Sequence, residues 1–134
     1  MPDIRGLGRG TRTVRIPAHG TVLEHEAPIA DWAWRVVEAW VESRGKLAVP
    51  GTVLLPATRS GRPWGKTTHY DAVLKVLEAV GLPGAGGAYR LRHTFALRQL
   101  KRGRSQAELA AWMGVEEAAL DRHRRVVAGP VNVA

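Results

Sequence analysis

The sequence contains no cysteine, so neither a disulfide framework nor a thiolate zinc site can form within its 134 residues. Its five histidines are scattered, at positions 19, 25, 69, 93 and 123, without the spacing of metal ligands. No uninterrupted apolar run approaches the roughly 20 residues that span a bilayer, and the first thirty residues lack the apolar core of a signal peptide. We therefore expect no metal, no cofactor, no membrane association, no targeting segment and a cytoplasmic location.

Acidic residues are few relative to basic ones. Twelve Asp and Glu face twenty Lys and Arg, which gives a net charge of +8 and an isoelectric point near 11.0. Sixteen of the cations are Arg, whose planar guanidinium binds phosphate in a bidentate way, whereas Lys acts as a point charge. The composition, 45% hydrophobic and 24% charged, is that of a globular domain with its own core. These features indicate nucleic acid as the partner and disfavour a small-molecule substrate.

The N-terminal third predicts a β-hairpin followed by an amphipathic helix. Within 3–18, a Gly8-Arg9-Gly10 turn separates two β-prone runs. Within 27–45, apolar residues recur at helical spacing, which places Trp32 and Trp40 on the core stripe and leaves Trp34 off it, facing a partner. Residues 21–43 carry a net charge of −4, so this helix is acidic within a basic chain.

The remainder, 28–126, is predicted to be mainly helical. A short apolar run at 52–56 indicates a third strand, followed by a basic loop with Arg59, Arg62 and Lys66. Four more helices are expected, at 68–81, 91–103, 106–113 and 116–127, with Ser105 capping the third of these. A flexible joint is expected at 84–87 and a flexible tail at 129–134.

One sequence motif is the most informative about function. It runs from Tyr89 to Ala96 and reads Tyr-Arg-Leu-Arg-His-Thr-Phe-Ala, with glycines eleven and twenty-two residues after Arg92, at 103 and 114. This string and both offsets resemble the catalytic domain of the tyrosine recombinases, the phage integrase family. The turn at 8–10 is similar to the basic hairpin of that family. The resemblance implies one integrase-like domain over 1–128, of class α+β and mainly helical, with about five helices and a small antiparallel β-hairpin or sheet.

The resemblance also implies a chemistry without metal. In the family, a Tyr hydroxyl attacks a DNA phosphodiester to form a 3′-phosphotyrosine, while Arg, His and Lys stabilise the phosphorane and protonate the leaving oxygen. Arg92 matches the second catalytic Arg. The other positions depart from the pattern: Tyr89 stands for the usual His, Val115 for the second His or Trp, Arg124 for the Tyr nucleophile, and Leu7 or Arg9 for the hairpin Lys. This chain is therefore expected not to cleave DNA by itself.

The function expected from these residues is binding of double-stranded DNA in DNA integration or recombination, as part of a mobile element and near the nucleoid. Other recombinase protomers are possible partners. The cations assigned to DNA phosphates are Arg9, Arg12, Arg62, Lys66, Arg90 and Arg92.

Several alternatives stay open. Arg92 could be a structural residue paired with Glu108 or Asp121, and His123 could replace the missing nucleophile or serve as a base. Residues 105–126 also resemble a helix-turn-helix, in which 116–126 would enter the major groove, although the carboxylates of its first turns disfavour this. The acidic segment 21–43 could instead make the chain a protein-protein interaction module.

Overall fold

The computed structural model describes residues 2–82 and 87–129, which form two compact units. The first unit comprises 2–64 and 112–114, and the second comprises 65–82, 87–111 and 115–129. Among the described residues, no helix has the length and apolar character needed to cross a bilayer. The predicted joint at 84–87 lies outside the described residues except for Gly87, as does the predicted tail except for Gly129. The single domain over 1–128 stays a prediction.

The first unit is built on a three-stranded antiparallel sheet. A 3₁₀ helix, Ile4–Gly6, leads into β1 (Leu7–Gly8), and β1 pairs with β2 (Thr13–Ile16) as the predicted hairpin requires. The third strand, β3 (His25–Pro28), pairs with β2 so that Val14 faces Ala27. Pro28 therefore belongs to the sheet rather than to the helix that was predicted to open near it.

Helix α1 (Asp31–Lys46) confirms the predicted amphipathic helix but buries a different face. Trp34 is 5% exposed and lies in the core, whereas Trp32 is 76% exposed. The predicted roles of these two tryptophans were therefore wrong. The helix begins four residues later than expected, because β3 takes Ala27 and Pro28 and the Ile29 amide donates to the Arg12 carbonyl. The buried residues of α1 are Trp34 and Arg44.

The segment after α1 contains no strand at 52–56, contrary to the prediction. Four carbonyl groups of this segment accept hydrogen bonds from side chains of α1 instead of from a neighbouring strand. The buried Arg44 guanidinium donates to the carbonyls of Pro50, Gly51 and Val53 at 3.3, 2.8 and 3.2 Å, and Trp40 Nε1 donates to the Leu54 carbonyl at 2.6 Å. A β-ladder would need those same acceptors. Only isolated β-bridges remain here, at Val53 and Pro56.

The second unit is helical and follows the prediction closely. It contains α2 (Lys66–Ala79), α3 (Gly87–Lys101), α4 (Gln106–Met113, whose last two residues belong to the first unit) and α5 (Asp121–Ala128). α3 packs against α2 on one side and α5 on another. Ser105 Oγ accepts the Glu108 amide at 3.1 Å, so it caps α4 as predicted. Gly103 follows α3 with a φ of +89°, which confirms it as the end of that helix.

The last predicted helix, 116–127, is divided in the structure. Residues Glu117–Leu120 form a 3₁₀ turn, and only Asp121–Ala128 is α-helical. In a continuous α-helix the Glu117 carbonyl would accept the Asp121 amide. Here that carbonyl accepts Gln106 Nε2 at 2.7 Å, and the Asp121 amide donates to the Ala118 carbonyl. Leu120 at this break is 2% exposed, so its burial stabilises the turn.

Replacing Arg44 by Met is expected to lower the free energy of unfolding by about 3 kcal/mol, because the change removes a buried side chain and its three hydrogen bonds to the carbonyls of Pro50, Gly51 and Val53. Urea denaturation followed by tryptophan fluorescence measures this loss. The matched control is Arg35→Met, an exposed position on the same helix, expected to stay within about 0.5 kcal/mol of the parent. Equal urea midpoints for the two variants would contradict the proposed role of Arg44.

Candidate functional site

Helix α3 carries the string that dominated the sequence analysis. Tyr89, near its start, is 71% exposed, Arg90 and Arg92 are half-buried, and His93 is exposed. Arg90 Nη1 donates to the Leu82 carbonyl at 3.2 Å, which ties the start of α3 to the residues that follow α2. The structure thus places Arg90, Arg92 and His93 within one turn of a helix, next to α5.

The contact between α3 and α5 includes a pair of imidazoles. His123 Nε2 lies 2.8 Å from His93 Nδ1, and the two rings are 4.6 Å apart and tilted by 51°. One of these nitrogens must donate and the other accept, so the pair cannot carry two protons at this contact. His123 Nδ1 is buried without a hydrogen-bond partner among the described residues. A bare lone pair there costs less than a buried N–H, which favours the tautomer in which His123 Nε2 donates.

His123 is part-buried and is influenced by cationic neighbours. Burial lowers the pKa of His123, and the neighbouring His93, Arg122 and Arg92 lower it further. The Arg92 guanidinium therefore lies close enough to His123 to act on its charge. The residue of α5 that faces the α3 site is thus His123. The spacing of the family motif predicts position 124 as the nucleophile position. Nothing in the sequence indicated that residues 93 and 123 would be in contact.

Arg124 faces elsewhere. It is exposed and lines a cavity with the first residues of α4 and with Glu117. Val115 is half-buried, and its amide donates to the Ala110 carbonyl. The two tyrosines of the sequence lie in the first turns of α2 and α3, at Tyr70 and Tyr89, not on α5. The local structure therefore offers no tyrosine hydroxyl on the helix beside Arg92.

Glu108 and Asp121 were suggested above as structural partners of Arg92. Each of these carboxylates contacts another residue in the structure. Glu108 forms an ion pair with Arg104 at 3.0 Å, and Asp121 Oδ1 accepts Gln106 Nε2 at 2.7 Å. The sequence pattern used Gln106 only as the first residue of the helix-turn-helix-like string. Its 8% exposure and two side-chain bonds make it the residue that joins α4 to α5.

The remaining predicted DNA contacts are divided between the units. Arg9 is exposed and lines a cavity of about 480 Å³ whose other residues include Glu38 and Glu42. Arg12, with a φ of +53°, forms an ion pair with Asp31 of α1. Arg62 is exposed in the first unit, and Lys66 is exposed at the start of α2 in the second. Within the described part of the chain, no three His, Asp or Glu side chains are grouped so that they could hold a metal ion.

Comparison with solved structures identifies this architecture. XerA recombinase superimposes with a TM-score of 0.80 over 92% of this chain and 45% of its own, at 14% sequence identity. The fold is that of a tyrosine recombinase. Two structures of XerH site-specific recombinase match with a TM-score of 0.72 each, at 18% and 19% identity, over 91% and 92% of this chain. No protein-family model and no curated protein matches the sequence.

The chain spans less than half the length of each of these tyrosine recombinases, since it covers 35% and 36% of the two XerH chains. One XerH structure is a post-cleavage complex with its palindromic difH substrate, and the other is a pre-cleavage complex with difH. The predicted fold class is confirmed, because the described residues form five α-helices and a small antiparallel sheet in the tyrosine recombinase architecture.

Acidification is expected to destabilise the second unit through His123. Because the folded pKa of His123 is lowered, the unfolded chain binds more protons as the pH falls through the ordinary value of about 6.5, and stability is lost there. Stability is complete above that range. Urea midpoints measured from about pH 7.5 down to 5.5 should fall for the parent and change much less for His123→Phe.

The exposed His69 on α2 provides the control for this experiment. His69→Gln should retain the full pH dependence of the parent. If the urea midpoint of His123→Phe fell on acidification as steeply as that of His69→Gln, the imidazole pair would not be the source of the pH dependence.

Proposed function

We propose that this domain binds duplex DNA through its phosphate backbone, with Arg92 at the centre of the contact, and that it does not break DNA strands by the tyrosine recombinase route. The observation that carries the proposal is the position of Arg92: it lies on α3 beside α5, in a fold shared with recombinases whose structures include DNA complexes. The net charge of +8 supports a polyanionic partner.

The group around Arg92 suits phosphate binding. Arg92, Arg122 and the imidazole pair place several hydrogen-bond donors and positive charges in one region of the second unit. Burial is the main cause of the lowered pKa of His123, and repulsion from these cations lowers it further; a bound anion would relieve that repulsion. A DNA phosphate would supply that negative charge, and an Arg fork can hold two of its oxygens.

The side chains of α5 disfavour strand cleavage. The α5 side chain on which the Arg92 charge acts is the His123 imidazole, whose Nε2 contacts His93 Nδ1 and whose Nδ1 is buried. Neither nitrogen is positioned to attack a phosphodiester. The domain would then contribute DNA docking to recombination or integration, near the nucleoid, in a mobile element or as a domain retained from one. Other recombinase protomers would be additional partners.

The cations outside α3 would add non-specific attraction. Arg9, Arg62 and Lys66 are exposed and available as secondary anchors. Arg12 would have to leave its ion pair with Asp31, at small cost because the pair is solvent-exposed. Contacts of this kind hold the backbone without reading bases, so we expect modest sequence preference.

The two other hypotheses receive less support. In the helix-turn-helix hypothesis, 116–126 would be the recognition helix, but this segment begins with a 3₁₀ turn and its α-helix has only eight residues. For an interaction module, the exposed Trp32 and Val36 on α1 offer an apolar surface, without any structural indication of what would cover it.

Binding should be steeply dependent on salt. With about six phosphate contacts, the logarithm of the association constant should fall with the logarithm of salt concentration at a slope of about −5. Fluorescence anisotropy of a labelled duplex of about 30 base pairs measures the slope, and Arg92→Ala should weaken binding and reduce the slope by about one.

Arg98→Ala is the control for that titration, since Arg98 is exposed near the end of α3 and, six residues on, projects from a different face of the helix. It should bind more tightly than Arg92→Ala. A slope near zero would contradict electrostatic binding, and salt-steep binding unaffected by Arg92→Ala would favour the helix-turn-helix hypothesis. Absence of binding would favour the interaction module.

No covalent protein-DNA adduct should form on a nicked duplex that traps 3′-phosphotyrosine, as judged by denaturing gel. The double variant Val115→His, Arg124→Tyr should also be inactive, because the side chain at 124 lines the cavity beside the start of α4, whereas His123 is the α5 residue that contacts His93 of α3. An adduct with the double variant would show that Arg124 occupies the nucleophile position after all.

A further inference from the structure

The imidazole pair of His93 and His123 is neutral in the arrangement that its hydrogen bond favours. With His123 Nε2 donating to His93 Nδ1 at 2.8 Å, the remaining hydrogen of a neutral His93 is on its Nε2. His93 is exposed, whereas His123 is part-buried and its Nδ1 has no hydrogen-bond partner among the described residues. A further proton can therefore go only to His93 Nδ1 or to His123 Nδ1.

Both nitrogens are unfavourable positions for a proton in the free domain. A proton on His93 Nδ1 would leave two N–H groups facing each other, which breaks the hydrogen bond between α3 and α5. A proton on His123 Nδ1 would create a buried N–H without an acceptor. Either proton would also add a positive charge close to Arg92 and Arg122. The free domain therefore takes up this proton only below the ordinary titration range of histidine.

The carboxylates of the elements packed against α5 do not offset these charges. Glu117 of the 3₁₀ turn lines the cavity beside the start of α4, and Asp121 at the start of α5 accepts a hydrogen bond from Gln106. Within the described part of the chain, the pKa of His123 is lowered by burial and then by cationic neighbours, without a carboxylate contribution. A DNA phosphate bound at Arg92 would supply the negative charge that this environment lacks.

We propose that the imidazole pair couples DNA binding to the uptake of a proton, so that the domain binds duplex DNA more tightly at about pH 6 than at about pH 8. The proton comes from the solvent, and an N–H bond on one of the two rings is the only bond that forms. A nearby anion favours the charged form of a histidine, and by linkage the protonated domain must then bind the anion more tightly. This inference rests on the proposed DNA contact at Arg92.

Isothermal titration calorimetry of a labelled duplex against the full chain, in two buffers that differ in ionisation enthalpy, counts the protons taken up. Because the pKa of His123 is lowered in the free domain and a bound anion raises it again, uptake is expected below about pH 6.5. The parent should take up a large fraction of one proton per bound domain at about pH 6.0 and close to none at about pH 8.0. Tryptophan fluorescence at each pH verifies that the chain is folded.

Two variants assign the proton to the pair. His123→Phe keeps a ring at the part-buried position but cannot titrate, so its uptake at about pH 6.0 should fall to well under half of the parent value. His69→Gln is the matched control, because His69 is exposed on α2 and should leave the uptake unchanged.

Imidazole C–H NMR resonances of the parent give the same answer without a variant, should His123→Phe fail to fold. Their pH midpoints should rise for His93 and His123 when duplex is added, and the midpoint of His69 should move less. Equal proton uptake by the parent and His123→Phe, or a His123 midpoint that DNA leaves unchanged, would overturn the inference and leave the DNA contact in place. Absence of any binding of the duplex would overturn the proposed function and this inference together.

Discussion

The side-chain amide of Gln106 determines the position of the C-terminal helix. Its two hydrogens bind the Glu117 carbonyl and the Asp121 carboxylate, which divides the predicted last helix into a 3₁₀ turn and α5. With α5 placed in this way, His123 contacts His93 of α3 while Arg124 lines the cavity beside α4. The placement of the imidazole pair beside Arg92 thus depends on this one buried amide.

The first unit depends on a comparable constraint. Arg44 is buried, and its guanidinium donates to three carbonyls of the segment after α1. Gly61 completes this packing, because at a φ of +70° a side chain would place its Cβ 2.0 Å from the Pro50 carbonyl oxygen. A segment with the local pattern of a strand is therefore held as a loop, since side chains took the acceptors that a sheet would use.

Much of the architecture was predictable from local patterns. The hairpin, the helices from α2 to α4 and the ends at Gly103 and Ser105 follow from turn residues, helical spacing and capping, which act over a few residues. Gly114 was identified through its offset from Arg92, and the structure supplies its reason. Its φ is +67°, its carbonyl accepts the Leu23 amide, and a Cβ there would lie 2.2 Å from His25 Nδ1. Such close approach requires glycine.

The sequence by itself determined the charge, the fold class and the string around Arg92, because composition, periodicity and motif spacing are properties of the chain alone. Only the tertiary structure decided which tryptophan of α1 is buried, where the third strand lies and which side chain of α5 faces Arg92. Those outcomes depend on contacts between residues distant in sequence, such as His93 with His123 and Gln106 with Asp121. Partners of this kind compete for the same hydrogen-bonding groups, and local sequence contains no record of which one succeeds.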